Sequence, residues 1–204
     1  MRGAREDGGG MERRIFLAIL ASAAFAARAA EAAPTWKTLT GPFTQERTLG
    51  LFKSTVRSQG KVTLVRPDKL RWELSAPDEI VYWATPDVLA YRSRAGSGRV
   101  PANAGRIAAS MADLRALLAG DLAALRGRYD VKETASGDTM LLDAVPKDPA
   151  QSPFKKLTLE LGPDRIRPLQ AILVEGPKDQ ARIRFGDLVL DAPVDPRVME
   201  PPPG

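Results

Sequence analysis

The chain has 204 residues and contains no cysteine and no histidine. Those two absences exclude disulfides, thiolate nucleophiles, Ser-His-Asp triads, His-based zinc sites and Cys-ligated clusters. Lys and Arg number 30 against 25 Asp and Glu, and the 17 Gly and 17 Pro favour a turn-rich β fold over a helical bundle.

Met11 opens a segment with the order of an export signal. Arg13 and Arg14 supply the positive start, and residues 15–27 are an unbroken apolar run. A membrane span needs about 20 such residues, so this run is too short to cross and fits a signal-peptide core. Small-x-small sites follow at Ala27-Arg28-Ala29 and Ala30-Glu31-Ala32. Residues 11–32 are therefore expected to be a signal peptide, and residues 1–10 an extension or a mis-assigned start. Cleavage after Ala32 would leave residues 33–204 as a single domain with a net charge of +4. Nucleic acid is an unsuitable partner for an exported chain with 6% aromatic residues and no helix-turn-helix pattern. The absence of disulfides in an exported protein of this size fits a bacterial periplasm.

From residue 43 the hydropathy period is mostly two. Residues 60–67 place Val62 and Leu64 on one face. Residues 69–77 alternate, with Leu70, Trp72 and Leu74 against Lys69, Arg71 and Glu73. Strand patterns recur at 79–86, 87–94, 128–135, 138–145, 155–162, 165–176 and 181–191, and Gly96-Ser97-Gly98 marks a hairpin tip or loop. Leu157, Leu159 and Leu161 share a face. Short strands with short turns imply one antiparallel sheet, strongly curved or closed. Residues 103–126 break the pattern. Ile107, Met111, Leu114 and Leu118 recur at helical spacing, Asn103 is placed to cap the start, and Gly120 to stop it. Asp121 can cap a second short helix with Leu122 and Leu125 inward. The apolar stripe of this helical hairpin needs a partner, and the concave face of the sheet supplies one. The helices then either plug a core permanently or form a lid. The Pro-rich tail from 191 cannot continue a central strand and is expected to lie extended on the surface.

Catalytic chemistry is scarce. Asp78 and Glu79 are adjacent, and neighbours in a strand point to opposite faces, so they form a poor acid/base pair. The glycines at 8–10 and 96–98 lack the strand-to-helix context of a phosphate loop, and no HExxH, EF-hand or G-x-S-x-G pattern occurs. No enzyme activity, cofactor or metal site is expected.

Three stretches resemble the LolA family, the periplasmic carriers of outer-membrane lipoproteins. They are Phe43-Thr44-Gln45, the run at 60–93 with Arg66, Pro67 and Trp72, and residues 154–204. The resemblance implies a mainly β fold with an α lid: a single antiparallel, strongly curved half-barrel sheet covered by short helices. It also implies an acylated lipoprotein as cargo, an inner-membrane ABC transporter complex as donor, an outer-membrane receptor as acceptor, and a monomer. That receptor is itself a lipoprotein, and a chain without cysteine matches the soluble carrier instead. In the family the arginine of the R-P motif tethers the lid helices, and Arg66 matches it. Leu70, Trp72, Leu74, Trp83, Leu157 and Leu159 are candidate cavity residues, the two tryptophans being equally open to plain core packing. Ile107, Met111, Leu114, Leu118, Leu122 and Leu125 are candidate lid residues. Family members with an N-terminal helix before F-x-Q leave two options here. The helix is shortened, because Gly41-Pro42 breaks it, or residues 25–33 provide it. The alternative functions are carriage of another acylated or polyene glycolipid, or a lipid-sensing or protein-binding module of envelope signalling.

Overall fold

The structure, a computed structural model, describes residues 35–50, 54–75 and 77–203. The signal-peptide reading and the proposed helix at 25–33 lie outside these residues. The strands are β1 (Thr38–Leu49), β2 (Ser54–Val65), β3 (Lys69–Leu74), β4 (Ile80–Ala84), β5 (Val88–Ser93) and β6 (Gly96–Pro101). After helices α1 (Gly105–Ala119) and α2 (Leu122–Arg128) come β7 (Tyr129–Ser136), β8 (Thr139–Pro146), β9 (Lys156–Leu161), β10 (Pro168–Val174), β11 (Gln180–Phe185) and β12 (Val189–Leu190). They form one antiparallel sheet in the order β6-β5-β4-β3-β2-β1-β11-β10-β9-β8-β7, with β12 added to β1. The sheet is curved and open. Its two edges, β6 and β7, are joined in sequence by the helical segment, so α1 and α2 act as a strap between the edges.

Register decides which side chains face inward, because a one-residue slip turns every side chain to the other face. Phe43 sits opposite Gly60 on one side and Phe185 on the other, while Gly60 faces Leu74. The Phe43 ring lies over Gly60, where an added Cβ would come within 2.6 Å of the ring and 1.9 Å of the Glu73 carbonyl oxygen. Only glycine lets the strands close there. Phe43 then stacks on Trp72 with centroids 3.9 Å apart. From this stack the apolar face extends through Leu39, Val62, Leu64 and Leu70 on one wing. On the other it runs through Ile183, Ala171, Leu159, Leu157 and Leu142. Burying each large side chain of this kind stabilises the fold by roughly 1.5–3 kcal/mol.

Besides the earlier start of β2 at Ser54 and the later start of β10 at Pro168, the strands depart from the expected ones at three places. The first strand begins at Thr38, so Gly41 and Pro42 lie inside it and Phe43 is mid-strand. Pro42 is tolerated because its edge partner breaks there: β11 ends at Phe185, β12 starts at Val189, and the Gly186 N–H donates to the Pro42 carbonyl at 2.9 Å. The missing proline N–H therefore falls where the neighbouring strand is interrupted. The same interruption divides the single strand expected over 181–191. Gly96-Ser97-Gly98 is not a tip but the start of β6, and the turn lies at Arg94 and Ala95.

The helices follow the expected spacing, with one correction at the start. Helix α1 begins at Gly105 after Ala104, and no side chain caps it. Asn103 is held in the preceding turn, where its carbonyl accepts from the Gly105 N–H, so it is displaced from the capping position. Gly120 ends the helix in the left-handed conformation at φ 65°, with its N–H and that of Asp121 bonded back to the carbonyls of Leu117 and Ala116. The Asp121 side chain accepts from the Ala124 N–H and caps α2.

Candidate functional site

The site is the apolar face of the sheet together with the helical strap across it. Met111, Leu114, Leu117 and Leu118 of α1 and Leu122 and Leu125 of α2 point into the core. Ile107 does not. It is 60% exposed, because its side of the first turn borders the two cavities, whereas the next residue, Ala108, is buried. The expected stripe therefore starts at Ala108 and Met111, not at Ile107.

Arg66 follows β2 and points at the far end of α1. Its Nη1 donates to the Ala119 carbonyl, and its guanidinium lies 4.9 Å above the Trp36 ring. The terminal turn of a helix presents unsatisfied carbonyls and a partial negative charge. The Gly120 turn satisfies those of Ala116 and Leu117, and Arg66 takes that of Ala119. Trp36 fixes the guanidinium from the opposite side and was not singled out by the sequence pattern. A lone aromatic beside an arginine-accepting turn has no periodicity to announce it.

A second attachment lies in the middle of α1. Asp113 is fully buried, with 0% exposure. One carboxylate oxygen accepts from the Tyr129 hydroxyl at 2.5 Å, and the other is paired with Arg128. The Tyr129 oxygen also contacts the Ser152 hydroxyl at 2.9 Å. Burial raises the Asp113 pKa above the usual carboxylate range, against the opposing influence of Tyr129 and Arg128. Burial and the Asp113 hydrogen bond raise that of Tyr129. The arrangement fixes α1 to the edge strand β7.

Two cavities flank the first turn of α1. One of about 410 Å³ lies between Ile80, Tyr82, Leu89, Tyr91 and Val100 of β4–β6 and residues 104–108. The other, about 230 Å³, has an apolar floor of Trp72, Leu74, Met111, Leu114, Leu173 and Ile183. Arg106, Ile107 and Tyr82 border both. Pockets for small molecules commonly span roughly 300–1,000 Å³, so the closed lid leaves room for a modest apolar ligand and not for several chains. A larger groove of about 660 Å³ lies on the other side of the sheet. Its walls are the tail at 191–200 and the ends of β1–β3, not the apolar face, so it belongs to a different surface.

Of the six candidate cavity residues, Leu70, Trp72, Leu74, Leu157 and Leu159 lie on the apolar face. Trp72 and Leu74 also line the smaller cavity, so Trp72 is core and cavity wall together. Trp83 is on the opposite face. It pairs with Arg71 and Ala90, while Trp72 pairs with Tyr82. The guanidiniums of Arg71 and Arg92 lie 5.7 and 5.6 Å from its ring, and its indole N–H donates to the Val198 carbonyl at 2.9 Å. Arg99 likewise donates to the carbonyls of Pro201 and Pro202, so the Pro-rich tail packs across the outer face through a short 3₁₀ turn at Pro196–Met199. Nor does the sequence pattern single out Arg47, Arg106 and Glu175, which come together at the rim of the smaller cavity from three separate segments. Among the described residues, no group of three or more acidic side chains stands close enough to hold a metal ion.

No curated protein matches the chain at the sequence level. Among solved structures, a LolA superfamily protein from Nitrosomonas europaea is similar at 10% identity and a TM-score of 0.47. The alignment covers 82% of this chain and 91% of that one. A DUF1329 family protein from Desulfovibrio piger is similar at 11% identity and a TM-score of 0.46, covering 82% and 91%. The Pseudomonas aeruginosa MucA/MucB complex is similar at 15% identity and a TM-score of 0.41, covering 80% of this chain and 55% of that one. The family described as "Outer membrane lipoprotein carrier protein LolA" matches residues 34–200. With that match over most of its length, and an open curved sheet strapped by helices, the chain belongs to the LolA family of periplasmic carrier and binding proteins.

Proposed function

We propose that the protein carries acylated lipoproteins across the periplasm, shielding their acyl chains between the apolar sheet face and the lid. Residues 11–32 direct its export. An inner-membrane ABC transporter complex loads it and an outer-membrane receptor unloads it. The observation that supports this reading is the strap: one helical segment joins the two edges of an open sheet and covers its apolar face. Each methylene moved from water to an apolar site contributes roughly 0.8 kcal/mol, so a sixteen-carbon chain represents about 12 kcal/mol. Cargo of that kind needs cover, and release needs the cover to be replaceable. Met111, Leu114, Leu118, Leu122 and Leu125 supply the replacement by occupying the face when it is empty. Met111 adapts to chains of different shape. Arg66 holds the lid shut and governs its opening.

Native mass spectrometry of the purified protein mixed with a triacylated lipopeptide tests the proposal. A stoichiometric complex that delipidation removes is the expected result. If no lipopeptide is retained and delipidation changes nothing, the carrier reading fails. Co-purification separates it from the signalling-module alternative, since an ABC transporter partner supports the carrier and a signalling protein the sensor.

A further inference from the structure

The rim of the smaller cavity carries charge that the burial of a plain acyl chain does not require. Arg47 comes from β1, Arg106 from the first turn of α1, and Glu175 directly follows β10. Arg47 Nη2 lies 3.1 Å from one Glu175 carboxylate oxygen and 3.3 Å from the other. Arg106 Nη2 lies 3.5 Å from the second oxygen and donates to the Pro153 carbonyl at 2.7 Å. Two guanidiniums share one carboxylate, and Glu175 is the only acidic residue among those lining the cavity. The rim therefore holds an excess positive charge directly above an apolar floor. The Gln45 side chain lines the same cavity.

We infer that this cavity takes an acyl lipid with an anionic head, a carboxylate or a phosphate, whose oxygens bind Arg47 and Arg106 while the chain lies on Trp72, Leu74, Leu173 and Ile183. The inference rests on the carrier reading for the apolar face and goes beyond it in the cargo, since a lipoprotein's diacylglyceryl anchor has no anionic head and the rim selects acyl lipids that do. Arginine suits such a head because its planar fork donates two parallel hydrogen bonds to a carboxylate or phosphate. The Glu175 carboxylate occupies that position in the empty protein. It must serve both guanidiniums at once, and its approach to Arg106 is too long for a strong charge-assisted bond. An incoming anion adds its oxygens to the shared set, so that two anionic groups face two guanidiniums and neither an arginine nor Glu175 is left unpaired. Because Arg106 belongs to the lid helix, the head is bound by the element that must move aside for the chain.

The inference is tested by titrating the purified full chain with laurate, dodecyl phosphate and dodecanol, followed by calorimetry or by the fluorescence of the tryptophans. The two anionic amphiphiles are expected to bind about tenfold more tightly than the alcohol, the increment of a charge-assisted hydrogen bond. Replacing both guanidiniums, Arg47→Gln with Arg106→Gln, should abolish that preference and bring the three amphiphiles to a common affinity. Arg92→Gln on the outer face should alter neither. Glu175→Gln frees both guanidiniums and should widen the preference for the anions over the alcohol, a result that loss of fold cannot mimic. Equal affinity for all three amphiphiles overturns the inference and leaves the carrier reading intact. Inorganic phosphate or acetate competing as well as the amphiphiles overturns it too, since the site would then be a plain anion site. Failure to bind any amphiphile overturns both readings.

Discussion

The two ends of α1 are built differently. At the C-terminal end Leu117, Leu118 and Ala119 are buried, a left-handed Gly120 closes the helix, and Arg66 holds its last turn against Trp36. Midway, Asp113 binds the helix to Tyr129 of the β7 edge and to Arg128 at the end of α2. At the N-terminal end no side chain caps the helix, Ile107 is exposed, and cavities open on both sides. What holds that end is the small buried side chain of Ala108, the Arg106–Glu175 pair and one bond to the Pro153 carbonyl. A pair at 3.5 Å with its arginine half in solvent contributes about 0–1 kcal/mol, against several for the buried leucines. The strap is therefore anchored at one end and weakly closed at the other; on the carrier reading a chain enters beside the first turn and Arg66 limits how far the strap then lifts.

The largest expected effect comes from breaking the anchored end. Leu117 is 1% exposed, and Leu117→Ala should cost about 2–5 kcal/mol of unfolding free energy, read by urea denaturation. Asp113→Ala comes next. It leaves the Tyr129 hydroxyl without its carboxylate acceptor and Arg128 without its partner, and should cost about 1–3 kcal/mol. Asp113→Asn isolates the charge through its pH dependence. Burial raises the Asp113 pKa above its ordinary 3.8 in the folded protein. Between those two values the folded state holds a proton that the unfolded state has released, so this group's contribution to stability falls as pH rises through the window. The Asn variant should lack that slope, which denaturation midpoints measured from pH 4 upward would reveal. Arg66→Leu removes one charge-assisted bond to a carbonyl, a loss of about 1.5–3 kcal/mol at most. Its larger consequence should be faster lipopeptide uptake in stopped flow, since the fold does not depend on that bond. Unchanged uptake would show that the lid opens at its other end without help from Arg66.

Much of this contrast was legible in the chain, and the reason it was only partly so is physical. The alternation of Leu70, Trp72 and Leu74 and the spacing of Met111, Leu114 and Leu118 each follow from a local period, and the sheet and helix they imply are present. Gly120 and Asp121 are local punctuation and act as expected. Trp83 went to the wrong face because the alternation within β4 says nothing about its register against β3. Pairing Trp72 with Tyr82 sends Trp83 outward. Asp113 sits among Met111, Leu114 and Leu117, on the apolar side of its helix, and that placement was a readable signal of a buried charge needing partners. Arg47, Arg106 and Glu175 carried no such signal. They meet only because β1, β10 and the first turn of α1 converge in the folded sheet, and a convergence of distant segments has no period.

The smallest effect tests the weakly closed end directly. Ile107 is more than half exposed and borders both cavities, so it contributes little packing to the closed protein. Ile107→Ser should change unfolding free energy by no more than about 0.5 kcal/mol, as exposed positions generally do. If a chain enters beside the first turn, the same side chain becomes part of the covering surface once cargo is in place. Losing it should then weaken lipid retention by a few-fold, as roughly 0.8 kcal/mol per uncovered methylene implies. A substitution silent in stability and visible in retention separates the end that holds the fold from the end that admits the ligand. If Ile107→Ser costs as much stability as Leu117→Ala, the two ends are equally anchored and the asymmetry is wrong.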